Sequence, residues 1–75
     1  MINEHDCVIL TQDVPNDGLK AGDVGTVVHI HHDGTAYEVE FVTLTGQTVV
    51  ATVLPNQLRP IGQRDISHGR ELAVR

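Results

Sequence analysis

No segment of this chain keeps a helical period over about ten residues. Short β-branched runs alternate instead with clusters of Gly, Pro, Asp and Asn, and that punctuation makes strand the regular structure to expect. Eleven valines in 75 residues strengthen the reading, because a branched Cβ packs well on a pleated surface. There is no Trp, one Phe (Phe41) and one Tyr (Tyr37), so the core must be built from Val, Ile and Leu. A domain of this length buries only ~60% of its unfolded surface, which leaves little margin for misplaced apolar groups.

Five strands follow from the runs. The first is Cys7-Val8-Ile9-Leu10. A long loop from Thr11 to Gly22 comes next, in which Pro15 and Asn16-Asp17-Gly18 are turn formers and Val14 and Leu19 are expected to fold back over one end of the core. Strand two is Val24 to His31. Gly25 suggests a bulge or bend there, and the irregular order of Val27, Val28 and Ile30 places a bulge near Val27, or else a strand covered partly on both faces. Asp33-Gly34 favours the positive φ angles of a type I′ hairpin. Strand three, Ala36 to Val42, alternates cleanly: Tyr37, Val39 and Phe41 face the core, Glu38 and Glu40 face water. A loop around Gly46 leads to strand four, Thr48 to Leu54. Pro55-Asn56-Gln57 reads as one 3₁₀ turn, and Leu58 to Ile61 as a last edge strand confined there by Pro60.

This order defines an all-β class: a small SH3-like five-stranded barrel, with a one-turn 3₁₀ helix before the last strand, over residues 1–61. Residues 1–61 carry Lys20 and Arg59 against eight acidic residues, a net −6. Residues 62–75 are polar and net +1, with Arg64, Arg70 and Arg75 against Asp65 and Glu71, and form a separate tail, flexible or partner-binding. The whole chain carries −5, which opposes strong binding to a phosphate backbone. No apolar run approaches the ~20 residues of a membrane span. The N-terminal stretch has neither a basic nor an apolar signal region, and a lone cysteine suits a reducing compartment, so a cytoplasmic location is expected.

Candidate chemistry is sparse. His29 and His31 project from one face of strand two and could share an ion, with His32 and Asp33 in the adjoining turn; four convergent ligands are lacking, and a plain solvent face is the simpler reading. His5 and His68 read as flexible terminal residues. Cys7, two residues from His5, lacks a third catalytic partner and reads as a small buried hydrophobe. Of Asp13, Asp17, Asp23, Asp33, Glu38 and Glu40, the four aspartates sit in turns, where Asp serves the backbone. Gly18 to Gly25 lacks the Gly-Lys-Ser/Thr ending of a phosphate loop. Neither a cofactor nor a catalytic centre is therefore expected, and so small a chain leaves little room for a pocket of ~300 Å³.

Four stretches carry a family resemblance: Leu10 to Pro15, Gly18-Leu19-Lys20-Ala21-Gly22-Asp23-Val24-Gly25-Thr26-Val27-Val28, Ala36 to Phe41, and Leu54-Pro55-Asn56-Gln57-Leu58-Arg59-Pro60. Together, over about Val8 to Ile61, they resemble a family of short bacterial proteins described as an SH3-like domain of unknown function. The resemblance implies no catalytic residues. It does imply a paired role, toxin–antitoxin-like, since members are often encoded beside another small protein. The shorter Gly22-Asp23-Val24-Gly25-Thr26-Val27 resembles the KOW element of ribosomal and elongation proteins, and also the SH3-like subunit at the stromal face of photosystem I.

Two functions follow as expectations. The first is a non-catalytic protein-binding module, the neutralising half of a two-protein pair, docking through Glu38, Glu40, His29 and His31, with an open strand edge or the tail available for a homo-oligomer. The alternative is an RNA- or ribosome-associated KOW-like barrel. A nucleic-acid barrel wants a basic face with stacking aromatics, and the charge here favours the first.

Overall fold

The β-branched runs become strands. The computed structural model describes residues 2–61. Strand β1 spans Cys7–Leu10, β2 Val24–His31, β3 Ala36–Val42, β4 Thr48–Val53 and β5 Leu58–Pro60. All neighbours are antiparallel, in the order β4-β3-β2-β1-β5. With the long first loop and a 3₁₀ turn at Pro55–Gln57 before β5, this is the small SH3-like barrel expected from the strand order. The tail from residue 62 onward, and with it His68, lies outside the described residues.

Alternation decides the core. Val8 and Leu10 of β1, Val27 of β2, Tyr37, Val39 and Phe41 of β3, Ala51 and Val53 of β4 and Leu58 of β5 converge in one buried cluster. Full burial of a side chain such as Val27, Val39 or Val53 contributes about 1.5–3 kcal/mol over leaving it exposed. The register of β3 is as the alternation predicts, with Tyr37, Val39 and Phe41 buried and the two glutamates outside the core.

The bulge in β2 lies between Val27 and His29: Val27 pairs with Val39, His29 with Glu38, and Val28 is the extra residue. That residue resolves the irregular sequence. Val27 is buried, Val28 and His29 are exposed, and Ile30 turns back to pack on the core. Gly25 marks neither the bulge nor a bend. It pairs regularly with Val8, and a Cβ placed on it would lie 2.6 Å from Val39 Cγ1, 2.8 Å from Phe41 Cε1 and 2.9 Å from the Glu40 carbonyl. Glycine is needed there because the β3 side chains close directly over it.

The β2–β3 turn occupies His32 to Thr35, as expected. The Gly34 N–H donates to the His31 carbonyl at 2.9 Å. Asp33 and Gly34, at φ 60° and 97°, take the positive φ angles expected of them; His32 joins them at φ 41°, and the Thr35 N–H also donates to the His31 carbonyl, at 3.0 Å, so that four residues rather than two connect the strands. In the first loop, Val14 and Leu19 bridge each other through paired backbone bonds of 2.9 and 3.1 Å, and Leu19 is buried in the core as expected. A 3₁₀ turn at Pro15–Asp17, closed by Gly18 at φ 71°, adds order to a segment that reads as plain loop.

Candidate functional site

The outer surface of β2, β3 and β4 carries the four side chains expected to dock a partner, His29, His31, Glu38 and Glu40. The bulge at Val28 brings His29 outward on the same side as His31. Their rings meet edge to face, with centroids 4.7 Å apart. His31 Nε2 lies 2.8 Å from Glu38 Oε2, and the Thr52 hydroxyl donates to that same oxygen at 2.7 Å. Glu4 Oε2 approaches His29 Nδ1 at 3.9 Å. The hydrogen bond from Thr52, then the bond and charge of His31, hold the Glu38 carboxyl below its ordinary value of 4.5, against the opposing effect of burial.

Of the four expected site residues, His29, His31 and Glu38 therefore form one cluster, while Glu40 sits beside Thr26 and Val50 in the neighbouring rows. The Glu40 carboxylate has no hydrogen bond or ion pair among the described residues, so it is available to a partner. Thr52 and Glu4 were not anticipated. Thr52 was within reach, because counting outward from the Thr43–Gln47 loop sets it opposite Glu38. Glu4 lies in a segment without strand pattern, and no signal marks it.

Other residues fall elsewhere. Cys7 is exposed, not buried as its apolar neighbours suggested: it opens β1, and the burial of that strand begins at Val8 and takes in Val8, Ile9 and Leu10 alike. His5 is not a loose terminal residue: its N–H bonds the Val27 carbonyl at 2.6 Å, and the Asp6 carbonyl accepts from the Val27 N–H at 2.9 Å. Asp13 Oδ1 accepts from the Ala21 N–H and Asp23 Oδ2 from the Lys20 N–H, each at 2.9 Å, the turn role expected of them. Among the described residues no three His, Cys, Asp or Glu side chains converge to hold a metal ion.

Two open clefts flank the barrel, more room than the chain length suggested. One of ≈ 450 Å³ lies between the first loop (Asp17, Leu19) and the β3–β4 end (Phe41, Val42, Leu44, Val49). The other, ≈ 310 Å³, is lined by Ile2, Asn3, Ile30, Asp33, Gly34 and Tyr37. No helix among the described residues is long and apolar enough to cross a membrane.

Fold and surface together describe a small all-β barrel with a histidine- and glutamate-bearing outer face. The chain belongs to the family of the domain of unknown function DUF4926, whose profile matches residues 4–60. Comparison with curated proteins and with solved structures found no match.

Proposed function

We propose that this protein is a non-catalytic protein-binding module whose outer β2–β4 face docks a basic segment of a partner protein. The observation that carries the reading is the contrast between the two glutamates of β3. Glu38 is engaged by His31 and Thr52 and held ionised, whereas Glu40, on the same face, has no partner of its own among the described residues. One carboxylate is fixed in place and a second is left to accept a cation, on a barrel whose residues 1–61 total −6. Within this reading the protein serves as the neutralising member of a two-protein, toxin–antitoxin-like pair, and it works in the cytoplasm.

The KOW-like alternative is supported only by the Gly22 to Val27 turn. It is opposed by the acidic charge and by the burial of Tyr37 and Phe41, which leaves neither aromatic to stack on a base. Affinity capture from host lysate with the full chain tests the proposal. Retention of a basic protein is expected, weakened by salt and lost in Glu40→Lys. Recovery of nucleic acid in place of protein, or equal retention by Glu40→Lys, would overturn it.

A further inference from the structure

The sheet has two edges, and they are defended very differently. Edge strand β5 has three residues. Its ladder to β1 runs through Thr11 N–H to the Gln57 carbonyl at 2.8 Å and Ile61 N–H to the Cys7 carbonyl at 3.3 Å. Antiparallel bonding alternates, so Arg59 faces β1 while the backbones of Leu58 and Pro60 face outward. Pro60 therefore stands where an N–H would otherwise be offered to another chain. A short strand with proline on its open side is a protected edge.

Edge strand β4 carries no such protection. Its six residues, Thr48-Val49-Val50-Ala51-Thr52-Val53, include no charge, no proline and no glycine, and they pair with β3 in six consecutive steps without a bulge. The Thr43 N–H bonds the Gln47 carbonyl at 2.8 Å, which sets the alternation: residues 47, 49, 51 and 53 bond β3, while Thr48, Val50 and Thr52 turn their N–H and C=O groups to the open side. Among the described residues nothing pairs with that side. Val50, at its centre, is 51% exposed.

We propose that β4 is the contact edge of a weak symmetric dimer, in which two copies join antiparallel about a twofold axis at Val50. The argument for a second copy is the register itself. Sheet continuity requires outward side chains to meet outward side chains. An axis at Val50 sets Val50 against Val50 of the second copy and Thr48 against Thr52, with Val49 opposite Ala51 on the inner side. The three open residues of each strand then form hydrogen-bonded pairs, an apolar contact lies at the axis, and threonine pairs flank it. No like charges face each other along this line, although each chain carries −5. One six-residue strand pair buries less than the ~1,200–2,000 Å² of a standard interface, so the association is weak and concentration-dependent.

Sedimentation of the full chain over a wide concentration series, at low and high salt, tests the proposal. The mass is expected to rise toward twice the monomer, and salt to strengthen the rise by screening the repulsion between acidic chains. Val50→Lys is expected to remain folded and monomeric. Register is read by mild oxidation in a Cys7→Ser background: Val50→Cys crosslinks to a dimer, and Thr48→Cys, which meets Thr52, does so several-fold less. A monomer at every concentration, association weakened by salt, or equal crosslinking by the two cysteine variants would overturn the proposal.

Discussion

Single residues in this barrel are constrained by what lies directly above them. Gly25 faces Val39, Phe41 and the Glu40 carbonyl, and because one of these is backbone, rotamer changes alone cannot make room for a side chain. Gly25→Ala is expected to destabilise by about 1–3 kcal/mol in urea denaturation, as overpacked cores do. Cys7→Ser, at the exposed first position of β1, should change stability by no more than about 0.5 kcal/mol in the same measurement. Glu38 adds a pH dependence. Its carboxyl is held below 4.5 in the folded state, so it contributes stability above that pH and loses the contribution as pH falls through the folded value. The side chain is a quarter exposed, which limits the effect to about 1 kcal/mol. The stability gap between wild type and Glu38→Gln should therefore be present at neutral pH and close below pH 4.5; a gap that widens on acidification would show that the ionised form is not the one favoured.

At the level of elements, legibility tracked regularity. Strand β3 was readable to the residue because strict alternation fixes its register. Strand β2 was readable in extent, and its irregular apolar order marked the bulge, yet the pattern alone could not say that Val28 is the extra residue. That depends on Glu38 pairing with His29, a contact across strands. Cys7 was misread because the rest of its apolar run, Val8, Ile9 and Leu10, is buried on both faces, and nothing in the run marks its first residue as the exposed one. Of the site, the His29–His31–Glu38 face was legible from spacing, whereas Glu4 and Thr52 reach it only through tertiary pairing. The β2–β3 turn gives the prediction at this scale. His32 holds φ 41° without being glycine, in a left-handed region that costs ordinary residues about 1–2 kcal/mol. His32→Gly relieves that strain but adds freedom to the unfolded chain, so a net gain of up to about 1 kcal/mol is expected by thermal or urea unfolding. A loss of stability would mean that the imidazole makes a contact worth more than the strain.

The whole molecule is defined by where its charge is and where its aromatics are not. Residues 1–61 hold two basic side chains, Lys20 in the first loop and Arg59 in β5, far apart in sequence. Binding to a nucleic-acid backbone draws on several cations releasing counterions together, and two isolated ones supply little of that effect. Single-stranded RNA could in principle be held by stacking instead, but Tyr37 is 9% and Phe41 5% exposed, both committed to the core that this valine-rich barrel cannot otherwise fill. The histidines do not replace them, because His29 and His31 meet each other edge to face rather than presenting parallel faces to a base. Fluorescence anisotropy with single-stranded RNA at physiological salt should accordingly show only weak background that disappears as salt is raised. Micromolar or tighter binding that survives salt would mean that recognition runs through backbone groups or the Gly22 to Val27 turn, and would put the KOW-like reading ahead of protein docking.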